Sequence, residues 1–319
     1  SVEDDAAAGH LGQPGDQVQQ RGLAAARGAE QDDELARRDV AGADLDQWWA
    51  FHDLTSTTPV RRSDQAVRVS PSKVASFNTC GLNWFLTSRG GDGPDVGAAN
   101  IGTLVHEIAA EFADKDPDRM QQALVDRWGR LGLGDSWVGR KQFELATAML
   151  ARVRRYVAEA ASGGWQVLGI EQDFSVAEGR VELGGQVDRI ERHETLGVRI
   201  IDLKTGSSTP TNAELAEHPQ LGAYQWAVDH GAFGDGEHSA GAALLQVGKG
   251  SGKPVDRDDY KLQSQQPLAD SDDPQWADEL LHRTAEGMGA AQFLATPGQH
   301  CNTCPVRSAC PVLMEGESF

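Results

Sequence analysis

Gly184-Gly185-Gln186-Val187-Asp188-Arg189-Ile190, followed after a turn by Ile200-Ile201-Asp202-Leu203-Lys204-Thr205-Gly206, is the stretch that decides the fold. Both runs read as strands, and a turn near His193 to Leu196 brings Asp188 alongside the second. Side chains two apart on a strand share a face, so Asp202 and Lys204 point one way, Ile201 and Leu203 the other. Two close carboxylates that stay ionised need a cation between them, and oxygen ligands suit Mg²⁺ or Mn²⁺. Such an ion would polarise a phosphodiester and activate a bound water. Lys204 would orient that water or stabilise charge on phosphorus. On this tripeptide alone, a surface salt bridge between Asp202 and Lys204 is the better reading, since an acid and a lysine two apart are common by chance.

Outward from this hairpin, Trp165 to Val176 reads as a further strand, carrying Glu171. Upstream, Ser70-Pro71-Ser72 opens a helix by a Ser N-cap and an early Pro, running towards Cys80. Gly90 to Gly97 reads as a loop. Asn100 to Asp114 is a helix with Ile101, Leu104, Val105, Ile108 and Phe112 on one stripe. His106 lies off that stripe, beside Gly102, Ala109 and Ala113, where other backbone can approach closely. Helical patterns continue from Met120 to about Ala160, broken near Gly129 to Asp135. Downstream come a helix around Leu215 to Asp229, a strand from Ala242 to Val247, an acidic irregular stretch and a helix over Trp276 to Phe293. This order predicts an α/β fold with a mixed central sheet flanked by helices.

The chain has 319 residues and a net charge of −19, from 48 acids against 29 bases. That argues against a protein held on nucleic acid mainly by bulk charge. It leaves room for a local groove with bases such as Lys204 and Arg189. Residues 1–66 carry 13 acids and 6 bases, and their only large apolar cluster is Trp48-Trp49-Ala50-Phe51. They read as an acidic tether or docking segment anchored by Trp48 and Trp49, with 67–319 as the catalytic domain. No apolar run suits a membrane span, and the acidic N-terminus is not a secretory signal. A cytoplasmic protein is expected, and the missing initiator Met fits a piece of a longer chain. Gly248-Lys249-Gly250-Ser251-Gly252-Lys253-Pro254 fails the P-loop pattern, because Val247 stands at the first Gly and Pro254 at the Ser/Thr. It reads as a hairpin tip.

Four motifs in order resemble the RecB-like branch of the PD-(D/E)xK nucleases. They are Gly102-x-x-x-His106, Gly185-x-x-Asp188, Asp202-x-Lys204-Thr205-Gly206 and Gln220-x-x-x-Tyr224. The resemblance implies that His106, Asp188, Asp202 and the Leu203 carbonyl ligate the metal. It implies that Lys204 is catalytic, and that Gln220 and Tyr224 contact the DNA backbone or brace the site. Glu171 stands where such nucleases often carry an acid.

Cys301-x2-Cys304-x5-Cys310, with Cys80 far upstream, is a one-plus-three set. By spacing alone, zinc and an iron–sulfur cluster both remain open. The arrangement resembles the CRISPR-associated RecB-like exonucleases and the AddAB helicase–nucleases, which implies a 4Fe–4S cluster on Cys80, Cys301, Cys304 and Cys310, clipping the start of the domain to its end. The acidic character, the Trp48-Trp49 approach and the terminal cysteines are similar to nuclease modules of the actinobacterial AdnAB helicase–nucleases. That resemblance implies DNA as substrate, a helicase motor in the same or a partner subunit, and a role in processing double-strand breaks. A catalytically silent DNA-guiding scaffold and a free-standing exonuclease of the CRISPR-associated type are the alternatives.

Overall fold

The computed structural model describes residues 57–91, 98–134, 136–248 and 259–312, without the side chains of 98–100. The chain divides into two units, residues 1–57 and 58–319. The first falls, but for its last residue, outside the described residues, and with it Trp48 and Trp49. Among the described residues six strands form one mixed sheet: β1 (Val67–Val69), β2 (Trp165–Glu178), β3 (Val181–His193), β4 (Gly197–Lys204), β5 (Ser239–Gln246) and β6 (Lys261–Gln265). Their order is β1-β3-β4-β5-β6, with β2 also paired to β3. β3 is central to the site, because β2 covers its whole length antiparallel while β1 and β4 share the other edge. β1 takes Val181 to Leu183 and β4 takes Arg189 to His193. Residues 184–188 fall in the gap between those two partners, so Asp188 sits where the ladder opens.

Eight α-helices flank the sheet among the described residues: α1 (Pro71–Thr79), α2 (Gly81–Thr87), α3 (Ala98–Phe112), α4 (Met120–Trp128), α5 (Trp137–Ser162), α6 (Asn212–Ala216), α7 (Pro219–Asp229) and α8 (Trp276–Gly289). Alternation along β4 sorts its side chains between two cores. Ile200 joins the one built with Val74, Leu221, Trp226 and Leu281, from α1, α7 and α8. Ile201 and Leu203 join the one built with Val105, Ile108, Leu124 and Leu150, from α3, α4 and α5. The sheet is therefore sandwiched between helical layers, as the element order predicts. Among the described residues no helix is long and apolar enough to cross a membrane.

Local departures from the sequence reading have local causes. Ser70 stands at the N-cap of α1, but its hydroxyl makes no capping bond; it lies 3.4 Å from the Ser72 hydroxyl instead. The helix expected over 215–229 is two, because Pro219 cannot donate to the turn before it. α6 begins with a capping box between Thr211 and Glu214, and α7 begins at Pro219. The last helix stops at Gly289 rather than Phe293. The stretch read as irregular contains β6, antiparallel to β5. Residues 249–258 of the glycine–lysine segment lie between them, outside the described residues. Gly248 is described: a Cβ there would come within 2.0 Å of the Thr205 carbonyl oxygen and 2.4 Å of that of Gly206. Only glycine lets these two segments touch.

Candidate active site

Three elements carry the acids and the histidine. His106 projects from α3, Glu171 from the middle of β2 and Asp188 from the open stretch of β3. One ligand atom from each of the three lies within 4.8 Å of the others. Glu171 falls between the paired residues Ile170–Arg189 and Gln172–Val187, opposite Asp188. Its φ of 46° makes it the one non-glycine residue in the left-handed region among the described residues. Backbone held there costs of order 1–3 kcal/mol, and such strain clusters at functional sites. The Gln186 side chain donates to the Glu171 carbonyl at 3.1 Å, helping to hold that turn.

Asp188 is fixed from two sides. Its Oδ2 accepts the Leu203 backbone N–H at 2.6 Å, and Nδ1 of His106 lies 3.6 Å from its Oδ1. His106 in turn sits on the small-residue face expected for it. A Cβ on Gly102, one turn before it, would lie 2.7 Å from the Thr205 hydroxyl oxygen. The helix thus lies against the Asp202-to-Gly206 segment, and Gly102, Thr103 and Thr205 line an open cleft with His106, Glu171 and Asp188.

Asp202, on the face of β4 opposite Ile201 and Leu203, is buried. Its Oδ1 accepts from Gln220 Nε2 at 2.7 Å and from the Tyr224 hydroxyl at 3.1 Å. Its Oδ2 pairs with Lys204 Nζ at 2.7 Å, and Lys204 also donates to Gln220 Oε1 at 3.1 Å. Asp202, Lys204, Gln220 and Tyr224 thus form one connected polar set, and Asp202 lies outside the His106–Glu171–Asp188 group.

The electrostatics reflect crowded carboxylates. Burial raises the Glu171 carboxyl above its ordinary range, and the charge of Asp188 adds to it. Burial likewise raises Asp202, with Asp188 adding to the rise while Lys204 and Tyr224 oppose it. For His106, burial is the largest influence and favours the neutral ring. The hydrogen bond and charge of Asp188, with Glu171 and Asp202, outweigh it and raise the pKa. The three carboxylates repel one another in the absence of a cation. The donor set, one imidazole and oxygen ligands, fits a divalent ion.

Arg189, expected in a DNA groove, is committed internally. Its guanidinium pairs with Asp114 and Glu191, and its side chain is 11% exposed. Glu191, 1% exposed, also accepts from the Tyr156 hydroxyl at 2.8 Å and from Arg199 at 2.7 Å. The sequence reading missed Asp114, although it stands two helical turns beyond His106.

All four cysteines are unpaired thiols that line one cavity at the far end of the chain. Cys80 sits between α1 and α2, where the Leu82 amide donates to the Leu294 carbonyl at 3.0 Å. Phe293 stacks on Phe85, and Trp84 tilts against it. Residues 80–85 are thereby held beside the segment that carries Cys301, Cys304 and Cys310. Among the described residues no three cysteine sulfurs lie within 4.8 Å of one another.

A mixed sheet between helical layers, with acids, histidine and lysine gathered where β3 and β4 part, defines an α/β protein with a candidate cation-binding centre. The chain belongs to the PD-(D/E)XK nuclease superfamily, whose family model matches residues 68–311. Members of that superfamily generally use a divalent metal. Among solved structures, a Eubacterium rectale protein provisionally described as an exonuclease is similar at 14% identity and a TM-score of 0.43, over 81% of this chain and 90% of that one. The protein SSO0001 is similar at 10% identity and a TM-score of 0.36, over 77% and 87%. No curated protein matches the chain.

Proposed function

We propose that this chain is a divalent-metal-dependent DNA nuclease, exonuclease-like in action, serving as the nuclease module of a cytoplasmic helicase–nuclease that processes broken DNA ends. The observation that carries the reading is the grouping of His106, Glu171 and Asp188 beside the Asp202–Lys204 pair. His106, Glu171 and Asp188 would hold Mg²⁺ or Mn²⁺, joined by Asp202 and the Leu203 carbonyl. The bound ion would polarise the phosphodiester and lower the pKa of a water. Leu203 N–H holds Asp188 in place, while Gln220 and Tyr224 hold Asp202. Lys204 Nζ supplies positive charge and a proton donor towards the phosphorus. With a net charge of −19, delivery of DNA falls to the motor of the same or a partner subunit, and binding by this chain alone is weak and salt-sensitive.

The same proposal places a 4Fe–4S cluster on Cys80, Cys301, Cys304 and Cys310. The four thiols share one cavity, which supports a common metal group, and the choice of a 4Fe–4S cluster over zinc rests on the resemblance of the cysteine pattern to the RecB-like exonucleases. Its role is structural, since no cysteine belongs to the acid–lysine set.

The test is degradation of linear DNA by the purified chain with Mg²⁺ or Mn²⁺, alongside Asp202→Ala. Loss of cleavage on chelation and in the variant is expected. Equal cleavage by folded Asp202→Ala protein overturns the assignment of the site, whereas no cleavage by the wild-type chain leaves the DNA-guiding scaffold as the better reading.

A further inference from the structure

A second group of metal-type ligands lies far from the site just described. Glu178 ends β2, His230 follows the last residue of α7, and Asp278 stands in the first turn of α8; one ligand atom of each lies within 4.8 Å of the others. Glu178 is seven residues beyond Glu171 on the same strand, about 23 Å at ~3.3 Å per residue.

The hydrogen bonds around His230 fix which nitrogen faces the carboxylates. Nδ1 lies 2.8 Å from the Trp226 carbonyl oxygen. A carbonyl only accepts, so Nδ1 carries the proton. The ring also stacks on the Trp226 indole, with centroids 3.8 Å apart. Nε2 of a neutral ring then points its lone pair at Glu178 Oε2, 2.6 Å away. Two lone pairs facing one another need a cation: a proton fits at this spacing, and a metal ion fits once the pair opens to ~3.3 Å, the edge of a tetrahedron with ~2.0 Å bonds. A backbone carbonyl on the far nitrogen is also how metal-bound histidines are oriented.

Asp278 is oriented in the same way. Its Oδ1 accepts the Trp226 indole N–H at 2.9 Å, which turns the carboxylate towards the His230 ring. His282, one turn further along α8, brings its Nε2 within 3.6 Å of that Oδ1. A proton would need only one carboxylate beside it. Here a second carboxylate, with another imidazole 3.6 Å from it, completes a group whose ligand atoms all lie within 4.8 Å of one another.

We propose that Glu178, His230 and Asp278 form a divalent transition-metal site of zinc type, with His282 or water in the fourth position. Mixed imidazole and carboxylate ligands suit Zn²⁺. The ion would tie the end of β2 to α7 and α8. Because α7 carries Gln220 and Tyr224 towards its other end, the site would fix the seating of the helix that holds Asp202.

Zn²⁺ stoichiometry of the full chain, measured with Mg²⁺ in excess, tests this against His230→Gln and Glu178→Gln. Both positions are exposed, and both variants are expected to fold. Wild-type protein should bind one more equivalent of Zn²⁺ than either variant, and Zn²⁺ should raise its Tm more. Zinc taken up by the cysteines is common to all three proteins and cancels. Equal stoichiometry and equal Tm shifts in all three would mean that the cation is only a proton in an ion pair, and would overturn the proposal.

Discussion

The backbone N–H of Leu203 donates to Oδ2 of Asp188 at 2.6 Å, at the point where β3 and β4 cease to pair. A side chain thus takes the place of the next ladder bond. Asp188→Asn can keep that bond through its amide oxygen, so the fold should hold, with Tm within a few degrees of wild type. Cleavage should disappear, because the neutral amide is a poor ligand for Mg²⁺ or Mn²⁺. Asp188→Ala should lose cleavage and also ~1–3 kcal/mol of stability, since the Leu203 donor is left unpaired. Calorimetric Mn²⁺ titration with thermal melts separates the two; full Mn²⁺ affinity in Asp188→Asn would remove Asp188 from the ligands.

Lys204 should behave differently from the acids. It touches Asp202 and Gln220 but belongs to no cluster of metal ligands. Lys204→Met should lower the cleavage rate by about 10²–10³-fold, the usual cost of removing one group that stabilises charge in a transition state. Mn²⁺ binding should survive. A variant that lost metal and activity together would contradict this division of roles.

Gly102 is the third point at which the site can be probed. In Gly102→Ala the new methyl meets the Thr205 hydroxyl at 2.7 Å, forcing α3 and the Asp202-to-Gly206 segment apart. Overpacking of this kind costs ~1–3 kcal/mol, against ~1 kcal/mol gained from replacing a helical glycine. Cleavage should fall more than stability, because His106 rides on the same helix. Removing the obstructing oxygen by Thr205→Ala leaves the nearest Thr205 atom at 3.7 Å. The double variant should therefore be more stable than the two single changes predict, by a coupling that a double-mutant cycle measures.

Much of this arrangement was legible in the residues. The period-two pattern of β2, β3 and β4 and the shared face of Asp202 and Lys204 both follow from alternation, and the small neighbours of His106 follow from helical spacing. What escaped has physical reasons. β6, Lys-Leu-Gln-Ser-Gln, buries glutamines rather than aliphatics: Gln263 donates to the Pro210 carbonyl at 2.8 Å and Gln265 to that of Leu215 at 2.9 Å. Polar residues satisfied by loop carbonyls look like surface in a sequence. β1 is three residues long and gains its partner from β3 more than a hundred positions away. The left-handed turn at Glu171 carries no glycine to announce it. Nor could the sequence show that Arg189 is engaged by Asp114, 75 positions earlier.

His218 gives a pH dependence outside the metal ligands. It is half-buried just before α7, its Nδ1 is buried with no hydrogen-bond partner among the described residues, and burial followed by the charge of Lys204 lowers its pKa below the ordinary 6.5. The unfolded chain therefore binds this proton at a higher pH than the folded protein does. The contribution to stability is complete above pH 6.5 and is lost as pH falls towards the folded value. His218→Gln should flatten that part of the stability–pH curve and leave stability at pH 8 little changed. Denaturant melts from pH 5 to 8 give the comparison; parallel curves for both proteins would show that His218 titrates alike folded and unfolded.

The cysteines separate structure from chemistry. If they hold a 4Fe–4S cluster, anaerobically purified protein is brown and contains iron and sulfide in equal amounts, whereas zinc leaves it colourless. Cys80→Ala should lose the cluster and lower Tm, because metal-binding free energy is also folding free energy. It should not release the chain end outright. The Leu82–Leu294 backbone bond and the stacking of Phe85 on Phe293 join the same two segments without any metal. The variant should therefore stay folded at low temperature and gain protease sensitivity first around residues 295–312. Any cleavage it retains at low temperature should still depend on Asp202. Unchanged Tm with full iron content in Cys80→Ala would take Cys80 out of the set, and the clip between the two ends would then rest on the aromatic and backbone contacts alone.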